Sequence, residues 1–392
     1  MNTIIYCRMS KRILCIFPND PLIAYYKKGE IKKRYFNPKN FFDEVHCISL
    51  IEKDIDEGKI QKIVGTAKLK IHSVGKINLK NKKENLSGII NLVKEINPNV
   101  IRAYSPLIEG WLAANCSQKL KIPLFLSLHT QYDANRKLAK KKDFKKYLKL
   151  KYTEKFIEPF VLKSANKITI VYKIIEPYVL KHSTTIPEIL HNKVDCDRFF
   201  NSESIDTLPQ PLILSVGNLT PVKNHKILIK SMQKIDGHLL IIGNGELYDE
   251  LNNLIKHLDL QNKVSIKKSV LYENIQKYYK SAKIFALAFN SEIESIPMPV
   301  IEAMAAGLPI IIPHPKKGNS EGLEDVAIFS KNDNISFGNN FKMILDDKNL
   351  QEQLSKKSLQ KSKEFDILRI EAREAEIYNE LIKHMNSRER NN

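Results

Sequence analysis

Residues 290–309 read N-S-E-I-E-S-I-P-M-P-V-I-E-A-M-A-A-G-L-P. Two carboxylates, Glu294 and Glu302, stand eight positions apart with a helix start between them. Pro297 and Pro299 have no N–H to lose and a preset φ, which suits a first helical turn, while Gly307 followed by Pro309 is the matching stop. The pattern predicts a helix over residues 299–306, with Glu294 in the loop before it and Glu302 one turn in. The free N–H groups of Ser295, Ile296, Met298 and Val300 would gather at the helix start, where unpaired donors favour an anion such as phosphate. A carboxylate on each side of a bound phosphate is suited to gripping hydroxyls. The chemistry implied is that of a nucleotide sugar: ribose, diphosphate and hexose.

Working outward, the chain alternates strand and helix signals on both sides of this block. Residues 211–216, P-L-I-L-S-V, read as a strand that ends in G-N-L-T-P-V-K-N at 217–224. Residues 238–246, H-L-L-I-I-G-N-G-E, read as a strand opening into a glycine turn and a helix. Gly243 and Gly245 form a lone G-x-G, which fits a phosphate-binding turn and equally a tight βα turn. Further strands are predicted at 264–268, 284–289, 310–312 and 326–329, with a helix over 272–280. Earlier in the chain, apolar runs at 13–17, 44–50, 68–74, 100–104, 123–129, 167–172 and 186–190 predict a first set of strands. Helical spacing at Ile89, Val93 and Ile96 falls between two of them. Alternation of this kind means parallel sheets, and 392 residues is enough for two domains. His129 closes the run P-L-F-L-S-L-H, at the sheet edge where open α/β sheets bind ligands. A lone histidine there also suits a hydrogen-bonded place in the core.

With these residues in view, the block from Glu294 to Glu302, continued by A-M-A-A-G-L-P, resembles the E-x7-E block of the family 4 (group 1) retaining glycosyltransferases. That family has the GT-B fold, α/β with two Rossmann-like parallel-sheet domains facing across a cleft. Residues 217–224 look like the family's G-R-L-x-x-x-K-N turn, with Lys223 matching and Asn218 standing where arginine is expected. Residues 191–199, H-N-K-V-D-C-D-R-F, resemble its N-G-V-D-x-x-R-F segment, with Lys193 in place of the glycine. The loop after the first strand departs from the family, because F-P-N-D-P-L at 17–22 has no glycine. The resemblance implies a first domain over 1–192, a linker over 193–210, a nucleotide-sugar domain over 211–366, and a helix over 367–392 crossing back to the first domain.

The resemblance also implies roles. Glu302 would bind the ribose hydroxyls, Glu294 a hydroxyl of the transferred sugar, and Lys223 with the N–H groups of Ile296 and Met298 the departing diphosphate. His129 would face the sugar from the opposite domain. Gly217, Asn218, Gly243, Gly245 and Ser295 complete the candidate donor site, and neither a metal nor a cofactor beyond the donor itself is implied. The D-x-D form of Asp195 and Asp197 lies in the crossing segment and is rejected as a metal site.

Composition bounds the rest. No segment approaches eighteen uninterrupted apolar residues, so no spanning helix is expected. The first ten residues carry no apolar run long enough for a signal peptide, and Met9 is an alternative initiator. Five cysteines without a C-x-x-C pair indicate neither a disulfide framework nor a zinc site, and a reducing, cytoplasmic setting is expected. A formal charge of +19 favours polyanions and anionic membrane surfaces. Residues 136–155 interleave Phe144, Tyr147, Leu148 and Leu150 with lysines, as a basic helix lying at the inner membrane face would, or as a solvated helix would. No nucleic-acid recognition motif accompanies the charge.

The expected partners are therefore a nucleotide-sugar donor and a glycan or lipid-linked acceptor, with an anionic membrane surface alongside. The alternatives are a GT-B sugar-nucleotide epimerase and a sugar-nucleotide-binding protein whose catalysis has faded, which Asn218 motivates. A glycosidase using the two glutamates would leave the phosphate-like turns unexplained.

Overall fold

Runs of Ile, Leu and Val that are apolar on both faces are stable only in sheets covered on both sides, and two such parallel sheets form. The computed structural model describes residues 11–29, 31–316 and 319–390, so the Met9 initiator and the leader reading of residues 1–10 lie outside the described residues. The first sheet comprises β1 (Ile13–Phe17), β2 (Glu44–Ser49), β3 (Lys68–Ser73), β4 (Val100–Ala103), β5 (Leu124–Leu128), β6 (Lys167–Ile170) and β7 (Glu188–Ile189). Its order is β3-β2-β1-β4-β5-β6-β7. The second comprises β8 (Leu212–Val216), β9 (His238–Ile242), β10 (Val264–Lys267), β11 (Ile284–Ala286), β12 (Ile310–Pro313) and β13 (Ala327–Ser330), in the order β10-β9-β8-β11-β12-β13.

In each sheet the order reverses once, between β1 and β4 and between β8 and β11. The crevice at the carboxyl ends of the strands on either side of such a reversal is where open α/β sheets hold ligands. The chain leaving β8 runs straight into the 217–224 turn, and the chain leaving β11 runs into the Glu294 loop. Topology thus brings together two motifs that stand about seventy residues apart in sequence.

The chain passes between the domains twice, side by side. Val194 N–H donates to the Phe365 carbonyl at 2.9 Å and Ile367 N–H to the Val194 carbonyl at 2.8 Å. Beyond this crossing the helix Ile367–Arg390 lies on the first domain, where Ile370, Ile377, Tyr378 and Leu381 join a core with Leu14, Val45, Val100 and Phe125. Asp195 accepts the Arg198 N–H and caps the short helix Cys196–Phe200, a structural use for the first aspartate of the D-x-D.

The basic segment is two helices, not one. Tyr132–Lys142 and Phe144–Phe156 are separated at Asp143, which leaves helical geometry (φ −148°, ψ 91°) and accepts the Lys146 N–H with its side chain. An aspartate offering this N-cap outweighs the helix preference of the lysines around it. The break re-aims the second helix so that Phe144, Leu148, Tyr152 and Phe156, each four residues after the last, are all exposed, at 43 to 62%. Among the described residues no helix is long and apolar enough to cross a membrane.

Candidate functional site

The helix of the 290–309 block runs Met298–Ala305, one residue earlier than its pattern predicts. Pro297 precedes it and Pro299 lies in its first turn, as the missing N–H groups allow. Its far end closes as a Schellman motif. Gly307, at φ +77°, donates to the Met304 carbonyl, and Leu308 N–H donates to the Ala303 carbonyl.

The N–H groups of Ser295, Ile296 and Met298 donate to no backbone carbonyl among the described residues, but that of Val300 is bonded to the Pro297 carbonyl at 2.9 Å. Val300 is therefore removed from the set of free donors, because the first turn tightens around Pro297.

A cavity of about 660 Å³ opens between the two sheets. Gly217, Asn218, Lys223, Gly243, Glu294, Met298 and Glu302 line its second-domain wall, and His129 lines the first-domain wall. Gly245, Ser295 and Ile296 are not among the lining residues, and the Ser295 and Ile296 side chains are buried. The two turn glycines answer to close approach. A Cβ on Gly243 would lie 1.9 Å from the Gly217 carbonyl oxygen, and one on Gly245 would lie 2.5 Å from that of Leu219. The turns after β8 and β9 are also joined by the Leu219 N–H to Asn244 carbonyl bond at 2.9 Å.

Within the cavity Lys223 Nζ donates to Glu294 Oε2 at 2.5 Å. The loops that carry them are tied by the Asn290 N–H to Val222 carbonyl bond at 2.8 Å. Glu302 is buried, and its Oε2 accepts the Tyr279 hydroxyl at 2.9 Å. Its Oε1 lies 4.0 Å from Lys32 Nζ, which comes from the first domain. Beneath the 217–224 turn sits His225, fully enclosed, with Nδ1 3.3 Å from Ser215 Oγ; burial pushes its pKa down to about 4.

His129 is half-buried, with its Nε2 turned inward. Burial first, and the neighbouring Arg102 cation second, push its pKa down to about 4, so the ring is neutral near pH 7. Its Nε2 has no hydrogen-bond partner among the described residues, although a buried polar atom normally has one. The imidazole faces the cavity beside the Tyr104 ring, with centroids 5.6 Å apart.

Behind His129 lies a charged cluster that the sequence did not disclose. Arg102 on β4 donates to Glu374, to the Tyr378 hydroxyl and, at 3.0 Å, to Ser127 Oγ. Lys193 Nζ lies 3.5 Å from Glu374 and 3.4 Å from Glu371, and Arg34 reaches Glu371 at 3.1 Å. Lys193, the residue in the glycine position of the crossing segment, thus has a definite partner in the returning helix. Burial pushes the Glu374 carboxyl up, but the Arg102 and Lys193 cations outweigh it and leave its pKa below the usual value. Among the described residues no group of three or more His, Cys, Asp and Glu side chains is placed to hold a metal ion.

Residues 197–361 match the family model described as glycosyl transferases group 1. A Campylobacter jejuni relative named N-acetylgalactosamine-N,N'-diacetylbacillosaminyl-diphospho-undecaprenol 4-alpha-N-acetylgalactosaminyltransferase is 33% identical over 197 residues, covering 49% of this chain and 53% of its own. The amylovoran biosynthesis glycosyltransferase AmsK of Erwinia amylovora is 37% identical over 122 residues, 29% of this chain and 30% of its own. The chain therefore spans about half or less of the length of these curated relatives. Among solved structures, a glycosyltransferase from Rickettsia africae covers 95% of this chain and 99% of its own at TM-score 0.71 and 17% identity. Anabaena HepE in complex with UDP covers 94% and 100% at TM-score 0.71 and 14% identity. At such identities the structural likeness establishes the GT-B fold alone.

Proposed function

We propose, for a chain that carries the group 1 glycosyltransferase domain over residues 197–361 in a GT-B fold, that it moves a sugar from a nucleoside-diphosphate sugar to a glycan or lipid-linked acceptor, with retention at the anomeric carbon. One observation carries this reading. Lys223 and Glu294, delivered by the two strands at the reversal point of the second sheet, meet at 2.5 Å on one wall of a cavity whose other wall carries His129.

In the reaction the bond between the anomeric carbon and the diphosphate oxygen breaks, and the diphosphate leaves with the electron pair. Lys223 and the N–H group of Met298, both on the cavity wall, stabilise that charge, and this placement of a cation and a dipole where charge develops is what an electrostatic catalyst needs. The acceptor oxygen bonds to the same face of the carbon. Its proton passes to the departing diphosphate oxygen, the nearest base on that face. Glu294, displaced from Lys223 by the diphosphate, takes a hydroxyl of the sugar, and Glu302 takes the ribose. Neutral His129 is a hydrogen-bonding group for the sugar rather than a charged one. The reading assigns no metal and no cofactor.

The names of the Campylobacter and Erwinia relatives support a lipid-linked or polysaccharide acceptor in cell-surface assembly. So does the stripe of Phe144, Leu148, Tyr152 and Phe156, which lies among Lys145, Lys146, Lys149 and Lys155, all exposed. An apolar face ringed by cations fits an anionic bilayer, with about 1 kcal/mol gained per lysine near the surface. The reading places the protein peripherally on the cytoplasmic face of the membrane.

Calorimetric titration with UDP, GDP, ADP and TDP tests the donor half, and binding of one of them is expected. Failure of all four would leave a protein with a disabled site, for which Asn218 is the motivating residue. For the membrane half, the protein should float with vesicles of phosphatidylcholine and phosphatidylglycerol at low salt, and replacing Phe144, Leu148 and Phe156 by Ser should release it. A wild-type protein that stays at the bottom of the gradient would remove the membrane from the reading.

A further inference from the structure

Asn218 leaves the turn after β8 with one cation, Lys223, where the resemblance implies two. A diphosphate carries more charge than one ammonium answers, so a second cation must come from elsewhere in the cavity or be missing. The lysines that line the cavity differ in their commitments. Lys193 is held by Glu371 and Glu374, and Lys268 lies 4.1 Å over the Tyr248 ring. Lys27 and Lys28 are exposed at the cavity mouth, Lys28 being 3.7 Å from Asp20.

Lys32 is placed differently. It belongs to the first domain, but its Nζ is 4.0 Å from Glu302 Oε1 and 4.8 Å over the Tyr272 ring, both on the second domain. Its position is set from both sides. Ile31 is buried in the first-domain core, Arg34 N–H donates to the Lys62 carbonyl at 2.9 Å, and the Arg34 guanidinium is held by Glu371. The side chain keeps 23% of its surface accessible, so it is confined without being sealed.

We propose that Lys32 is the second cation at the donor diphosphate, supplied by the first domain in place of an arginine at position 218. The inference rests on the donor reading above. With a ribose held on Glu302 by its 2′- and 3′-hydroxyls, the α-phosphate, joined through C5′, lies across the ring from the carboxylate, where a lysine side chain that swings off Glu302 can meet it. The ribose hydroxyls would take Glu302 Oε1, while Oε2 keeps the Tyr279 hydroxyl. Lys32 then turns from the carboxylate to the diphosphate. A donor held by Lys223 from one domain and Lys32 from the other bridges the two walls, in place of the Lys32–Glu302 contact that spans them in the ligand-free site. The loop after β1, which lacks the glycines of its counterparts, is followed here by K-K-G-E-I-K-K-R at 27–34, and this is the segment that delivers the charge.

The test is titration of the full chain with UDP, GDP, ADP and TDP, each beside its matching nucleoside. Lys32→Ala should weaken the diphosphate by about tenfold or more, as loss of a charge-assisted contact does, and leave the nucleoside unchanged. Lys32→Arg should retain binding, and Asn218→Arg in the Lys32→Ala background should restore most of it. Equal loss of nucleoside and diphosphate would mean that Lys32 acts on the ribose or on the fold, and would overturn the proposal. So would a Lys32→Ala protein that binds the diphosphate as the wild type does. If the wild type binds no nucleoside diphosphate, the donor reading fails first and takes this inference with it.

Discussion

Replacing Glu294 with Gln should separate two properties that usually fall together: transfer should disappear while affinity for the free nucleoside diphosphate rises. In the ligand-free site Glu294 occupies Lys223 at 2.5 Å, and an incoming diphosphate must displace that carboxylate and then tolerate its charge. The pair is neither sealed nor fully exposed, with side-chain accessibilities of 12% for Lys223 and 24% for Glu294. Exposed pairs are worth about 0.2 to 1 kcal/mol and charge-assisted bonds about 1.5 to 3, which sets the net competition at about 1 kcal/mol. Gln keeps the shape and a hydrogen-bonding oxygen but removes the charge, and about 1 kcal/mol corresponds to roughly fivefold tighter binding. Calorimetric titration at two ionic strengths is the assay, because an electrostatic gain should shrink as salt rises. Lys223→Ala is the opposing control, expected to weaken binding about tenfold or more. A well-folded Glu294→Gln protein whose affinity is unchanged or lower would refute the competition, and one with near-normal turnover would refute the assigned role.

Acidification should destabilise the fold between about pH 6.5 and 4. His129 and His225 are both held at about 4, against about 6.5 when unfolded, so the unfolded chain binds more protons in that window. The stability is fully present above the unfolded value and is lost as pH falls, by roughly 3 kcal/mol for each ring at the lower limit. Melting temperatures across that range would show it, and a flat profile would contradict it. Glu374→Ala should cost about 3 to 5 kcal/mol in urea unfolding, because it strands the Arg102 guanidinium in a buried position. A cost under about 1 kcal/mol would mean that the Arg102–Glu374 pair adds little to what the apolar face and the Glu371 contacts already supply.

What could be read from the sequence followed the range of the signal. The helix Met298–Ala305 was legible to within one residue because proline and glycine act through their own backbone. The fully apolar strands were legible because a parallel sheet asks only for local composition. The break at Asp143 was also local, an aspartate followed three residues later by the amide it caps, but the lysines on either side masked it. Arg102 and Glu374 lie 272 positions apart, and no spacing rule connects them. Gly243 could be seen as a glycine but not explained, because its reason is the Gly217 carbonyl of another βα turn. The loss of Val300 from the free donors needed the hydrogen-bond geometry around Pro297.

The paired crossing at Val194 and residues 365–367 makes the second domain an insert with a single doorway. Its two ends are neighbours, so it can be lifted out of the chain and another put in its place without stretching either junction. The segment that matches the group 1 family model, 197–361, begins and ends just inside that doorway. The stretch that the family model matches is thus the stretch the backbone could exchange whole.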